Sequence, residues 1–123
     1  MPKSTPRSIS KPLPEFVAFL VENLAALALR GGEVTARSMF GGYGIYWRKK
    51  IIAIVAWDTL YFKATNALAA EFTRLGCEMF VYDKDGKPFN MRYYRAPEEC
   101  LDDADVLCAW ALRVYEAAYP AHQ

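Results

Sequence analysis

Between residues 34 and 63 the chain reverses direction after every few apolar residues, through breaks of only three or four residues. Parallel strands need a crossover of about a dozen residues or more, so segments joined this closely pair as antiparallel neighbours. Val34 and Thr35 open the stretch, and Met39-Phe40-Gly41-Gly42 interrupts it. Tyr43, Ile45 and Trp47 then alternate with Gly44, Tyr46 and Arg48. Arg48-Lys49-Lys50 reads as a charged turn, residues 51–57 as a largely buried strand, Trp57-Asp58-Thr59 as a second turn, and residues 60–63 as the next strand. The expectation is a β-meander.

Helices flank it. Pro14 suits a first helical turn, and Glu15 is well placed against the positive helix end. Phe16, Leu20, Leu24 and Leu27 recur at spacings of four, four and three, and Gly31-Gly32 supplies the stop, predicting one helix over this span. A second helix is expected from Asn66 to Leu75, with Thr65 or Asn66 as cap, Leu68, Phe72 and Leu75 as its stripe and Gly76 as its end. Residues 79–82 and 91–94 read as two further strands around a turn-rich loop, Asp83 to Pro88. The last helix is expected from Asp102, acting as cap with Asp105 three residues on, to Pro120. Ala104, Leu107, Ala111, Val114 and Ala118 share its inner face. The sum is one α+β domain: an antiparallel meander sheet with about three packed helices over residues 13–120, preceded by a polar tail at residues 1–12 read as disordered.

Composition supports one ordinary domain. The chain has 123 residues, 54% of them hydrophobic and 24% charged, with 18 aromatics (7 Phe, 8 Tyr, 3 Trp) to fill a core. A net charge of +1 disfavours a dedicated nucleic-acid binder or a polybasic membrane-surface protein. The distribution is less even than the total. Residues 1–63 hold nine Lys/Arg and four Asp/Glu, whereas residues 64–123 hold six and ten. Arg37, Arg48, Lys49, Lys50 and Lys63 all lie in the meander and would make a positive face if brought together. Arg37 stands at a break between strands, where partial burial would demand a carboxylate or carbonyl partner. No apolar run approaches the ~20 residues of a membrane span, and the N-terminus lacks the apolar core of a signal peptide. Three cysteines without a CxxC pair fit free thiols in a reducing, cytoplasmic setting.

The chemistry-bearing patterns fail one by one. The only histidine is His122, next to last in the chain, so Ser-His-Asp or Cys-His catalysis lacks a positioned imidazole and zinc its usual nitrogen ligand. Gly41-Gly42-Tyr43-Gly44 has Trp47 where a dinucleotide fingerprint needs its third glycine, and a strand follows rather than a helix. The pattern instead reads as a tight turn or bulge where backbone meets backbone. A calcium loop counted from Asp83 meets Pro88 at its sixth position and Tyr94 at its twelfth. Glu98, Glu99, Asp102, Asp103 and Asp105 read as complementing the last helix's positive end. Cys77, Cys100 and Cys108 read as small buried apolar residues. No catalytic residue, metal ligand or cofactor is expected, and the chain reads as a non-enzyme.

The segments VTARSMFGGYGIYW (34–47), DTLYFK (58–63), LGCEMFVY (75–82) and PEECLDDADVLCAWA (97–111) together resemble the N-terminal domain of the TfoX/Sxy competence regulators. The resemblance implies a compact α+β module similar in outline to secretion chaperones, with no known catalytic residues. In the longer regulators this domain precedes a C-terminal helical domain, which a chain ending at Gln123 is read as lacking. Those regulators act as co-activators with the cyclic-AMP receptor protein at promoters of DNA-uptake genes. The expected role is therefore a non-catalytic protein-interaction module, monomeric or homodimeric, whose partner is a transcription activator or RNA polymerase. Its candidate surface is Arg37, Phe40, Gly41, Gly42, Tyr43, Arg48, Lys49 and Lys50. The alternatives are direct nucleic-acid contact through the basic meander face and a small-ligand-binding domain.

Overall fold

The apolar stripe at residues 16–27 forms a helix that breaks part-way. In the structure, a computed structural model describing residues 13–39, 41–84 and 87–121 (backbone only for 82–91), α1 spans Glu15–Asn23 and a 3-10 helix follows over Ala25–Arg30. The single helix expected here is thus two pieces. Tightening to three residues per turn stacks i and i+3, which brings Leu27 directly beneath Leu24 while both stay buried. The amide of Leu27 donates to the Leu24 carbonyl at 2.9 Å, and Gly31 ends the segment with φ +99°. Residues 1–12, including the expected tail, lie outside the described residues.

The meander is present as β1 (Val34–Met39), β2 (Gly42–Trp47), β3 (Lys50–Ala56) and β4 (Thr59–Lys63), each antiparallel to the next. Helix α2 (Asn66–Arg74) then leads into β5 (Met79–Lys84) and β6 (Lys87–Arg95). The described strands form one six-stranded sheet in the order β1-β2-β3-β4-β6-β5. The last two strands are longer than expected: ladder pairing continues to Lys84↔Lys87, so most of the supposed loop is strand. A short helix α3 (Glu99–Asp102) precedes α4 (Ala104–Ala118). The α4 cap is Asp103 rather than Asp102: the Asp103 carboxylate accepts from the amides of Asp105 at 2.9 Å and Val106 at 3.4 Å. Asp102 instead ends α3, so it is not free to cap the helix that follows.

Strand alternation divides the sheet's side chains between two faces. Ile45, Trp47, Ile52 and Phe62 point into the main core with Leu20, Leu24, Phe72, Leu107, Ala111 and Val114 from the helices. Phe72 stacks on Trp110 at 5.0 Å between ring centres and on Tyr94 at 5.8 Å, seating α2 against both α4 and β6. Arg113 on α4 reaches Glu71 on α2 at 2.5 Å. The opposite face has a smaller cluster of Ile54, Phe80 and Tyr93, flanked by Met39, Ile51, Ala56 and Tyr61, and all of these belong to strands. Among the described residues, the helices therefore cover one face of the sheet and leave the other open. No helix of the described residues is long and apolar enough to cross a membrane.

Candidate functional site

Strand β2 separates the sequence-expected surface into two regions. One end carries Gly41, Gly42 and Tyr43, the other Arg48, Lys49 and Lys50. Six residues at ~3.3 Å each place the two ends about 17–20 Å apart. Phe40 lies outside the described residues. Arg37 lies on β1 opposite Gly44, between the two regions.

At the cationic end, Trp47 pairs with Lys50 across a two-residue turn in which Arg48 and Lys49 have φ of 54° and 66°. Arg48 does not point freely into solvent. Its guanidinium donates to the carbonyls of Gly31 (2.8 Å) and Arg30, and its central carbon lies 4.0 Å from the Trp47 ring centre and 5.3 Å from that of Tyr115. Arg48 thus satisfies carbonyls left unpaired at the end of the 3-10 helix. Trp47 reinforces the join by donating from Nε1 to the Gly32 carbonyl at 3.0 Å. A Cβ at Gly32 would sit 2.6 Å from Arg48 Cγ, so only glycine lets the two segments close. Lys50 Nζ stands 5.3 Å from the Tyr119 ring, whose hydroxyl donates to the Ile51 carbonyl at 2.9 Å. An open cleft of about 650 Å³ lies among Arg30, Trp47, Arg48, Lys50, Tyr115 and Tyr119.

At the other end, the glycines do separate jobs. Gly41 takes φ +82°. Gly42 runs so close to β3 that a Cβ would collide with the Val55 carbonyl oxygen. A Cβ on Gly44 would meet Met39 Sδ at 2.8 Å, so this glycine gives the Met39 side chain room to lie across β2. The expected close approach of backbone to backbone is thus present at Gly42. The result is a groove of about 190 Å³ lined chiefly by Met39, Gly42, Tyr43, Val55, Trp57 and Phe80. Its rim is Trp57, 72% exposed, with its ring centre 5.6 Å from that of Phe80. Trp57 went unnoticed in the sequence because it read only as a turn residue. The available signal was a large aromatic in a tight turn, where Gly or Asn is usual.

Arg37 differs from expectation. It is exposed and lies 5.4 Å from the Tyr46 ring, with no carboxylate partner among the described residues. An exposed guanidinium carries no large desolvation cost, so no partner is required. The thiols offer no activated nucleophile. Burial, and then the Glu99 carboxylate, pushes Cys100 up to about 12. Burial raises Cys77 and Cys108 as well, and Cys108 Sγ donates to the Asn23 carbonyl at 3.3 Å. Among the described residues no three His, Cys, Asp or Glu side chains are grouped to hold a metal ion.

A family model for the TfoX N-terminal domain matches residues 22–118, which takes in every strand and α4. The chain belongs to the TfoX N-terminal domain family. It is 31% identical over 78 residues to the DNA transformation protein TfoX of Haemophilus influenzae, an alignment covering 63% of this chain and 36% of that protein. It is likewise 31% identical over 67 residues to the DNA transformation protein TfoX1 of Aliivibrio fischeri, covering 54% of this chain and 32% of the relative. The match thus spans about a third of the length of these curated relatives. Within this TfoX-type domain, the groove under Trp57 and the Arg48 join both lie inside the matched residues.

Proposed function

We propose that this domain is a non-catalytic protein-interaction module in the regulation of DNA-uptake genes, docking a transcription activator or RNA polymerase on the groove beside Trp57. The relatives' names support the biological setting, each being a DNA transformation protein. The observation that carries the docking surface is Trp57 itself: a 72% exposed indole at the rim of an apolar groove built on Gly42 and Phe80. Large exposed aromatics beside a pocket are the residues most often found to anchor protein interfaces. The raised thiol pKa values offer no activated cysteine nucleophile among the described residues.

The test uses the intact chain and Trp57→Ala as paired baits in nuclease-treated lysate of the source organism. The expected result is enrichment of a transcription activator or RNA polymerase by the intact chain and at least about tenfold less by the variant, a loss typical of an interface anchor. Trp57 contributes little to the main core, so the variant keeps its unfolding midpoint within a few degrees. Equal capture by both baits, or capture of neither partner class, overturns the proposal.

A further inference from the structure

The open sheet face has a composition that the groove does not explain. Its register brings together Arg37 and Tyr46 from β1 and β2, Tyr61 and Lys63 from β4, and Tyr93 and Arg95 from β6. Arg37 lies 5.4 Å from the Tyr46 ring and Lys63 Nζ 5.5 Å from the Tyr93 ring. Arg37 is exposed, and Tyr46, Tyr61 and Lys63 are half-buried; Arg95, also exposed, lines a cleft with Cys77, Glu98 and Glu99 at the end of the sheet and is left out of the site. The floor between them is apolar, formed by Ile51 and Ile54. Among the described side chains of β1, β2, β3, β4 and β6, no carboxylate lies on this face. Glu71, Glu99, Asp102, Asp105 and Glu116 sit on helices, which pack on the other side, while Glu33, Asp58 and Glu78 lie in the connections between elements.

We propose that this face binds single-stranded nucleic acid, with Arg37 and Lys63 contacting phosphates and Tyr46 and Tyr61 stacking on bases. The face adjoins the protein-docking groove, sharing Ile54 with it and packing Tyr61 on the groove's Phe80 at 4.9 Å between ring centres, but the cations and rings that carry this inference lie outside the groove. Charge complementarity selects the occupant: two cations on a face whose described strand side chains include no carboxylate attract a polyanion, and the rings supply what a purely electrostatic patch lacks. Sequence-tolerant binding of single strands combines these two elements, a positive track and aromatic platforms on which unpaired bases lie. Five strands at ~4.8 Å spacing make the face about 19 Å wide, room for two or three stacked bases. A duplex keeps its bases paired and inaccessible to the rings, so it gains only the phosphate contacts.

The test is fluorescence anisotropy of labelled oligothymidylate and oligouridylate, each about 15 nucleotides long, against a duplex of equal length, over a range of salt. The two single strands distinguish DNA from RNA as the ligand's source. With two phosphate contacts, log K falls with log salt at a slope of about −1.4 for single strands. Arg37→Gln should weaken binding and bring the slope to about −0.7, the value for one contact. Tyr46→Leu and Tyr61→Leu should each weaken binding about tenfold while leaving the slope unchanged, because they remove stacking and no charge. Lys49→Glu, on the turn at the sheet's end, serves as the control for charge alone. The proposal fails if neither single strand binds at low salt. It also fails if the duplex binds as tightly as the single strands, if Lys49→Glu weakens binding as much as Arg37→Gln, or if the tyrosine variants, folded by thermal unfolding, bind as the parent does.

Discussion

The guanidinium of Arg48 lies 4.0 Å from the ring centre of Trp47 while donating to the carbonyl of Gly31, a residue 17 positions earlier in the chain. One side chain thereby ties the hairpin turn, the buried indole and the end of the 3-10 helix into a unit. A cation that looked available to a partner is committed to the fold.

Removing that side chain should therefore destabilise the domain. Arg48→Ala loses two hydrogen bonds to backbone carbonyls and a stacked cation, and the expected cost is about 1–2 kcal/mol. Arg48→Lys should recover only part of this, since an ammonium cannot reproduce the planar fork. Lys49→Ala, one residue on, should change stability by less than about 0.5 kcal/mol. Urea unfolding of the three variants checks the ranking.

Both two-residue turns of the meander hold non-glycine residues in left-handed backbone: Arg48 and Lys49 in one, Trp57 and Asp58 in the other, with φ between 51° and 66°. Left-handed conformation costs an ordinary residue roughly 1–2 kcal/mol, partly offset by the extra unfolded-state entropy of glycine. Lys49→Gly and Asp58→Gly are each expected to stabilise the domain by about 0.5–1 kcal/mol, read as a raised urea midpoint at unchanged slope.

The adjacent glycines of the motif should respond differently to the same substitution. Gly41→Ala meets open space and suffers only from its φ of +82°, an expected loss of about 1 kcal/mol. Gly42→Ala drives a methyl into the Val55 carbonyl oxygen, and the β2–β3 ladder must part to admit it. Its expected cost is at least about 2 kcal/mol, compounded by displacement of the groove. Comparable melting temperatures for the two variants would contradict this reading.

Alkaline pH should weaken the fold, most strongly through Tyr93 and Cys100, with smaller shares from Cys77, Cys108 and Tyr119, which burial also raises. Burial, helped by Tyr119 and Tyr46, pushes the Tyr93 hydroxyl from 10.0 up to about 12, and the Cys100 thiol rises from 9.0 to about 12. Each folded-state value lies above the unfolded one, so the stabilisation is complete below about pH 9 and is lost as pH rises from there through about 12. Unfolding midpoints measured across that interval should fall, and Cys100→Ala should flatten the fall between pH 9 and 10, below the range where Tyr93 joins in. A flat profile for the parent protein would count against the burial of Tyr93 and Cys100.

Much of this architecture was legible because its signals are local. Gly31 and Gly76 mark helix ends, and the turns at Arg48 and Trp57 are so short that they leave antiparallel pairing as the sole outcome. The break at Leu24 was not legible, since apolar spacings of four and three suit an α-helix and a 3-10 turn equally well. Arg48's role was hidden for another reason: its acceptors are backbone carbonyls, which carry no residue-type signature. The open face was hidden by register. Lys63 and Tyr93 lie 30 positions apart in sequence and become neighbours only when β6 pairs with β4 across α2 and β5.

The one-sided covering of the sheet places two different constraints on a single set of strands. Ile52 and Phe62 look into a packed core, where truncation to alanine costs about 2–5 kcal/mol. Arg37 on the same sheet looks outward, where most replacements cost a few tenths. Alternate residues along a strand are thus held fixed or left free to drift. A lineage built on this scaffold can change what its outer face recognises, one substitution at a time, while the inner face keeps the fold as it is.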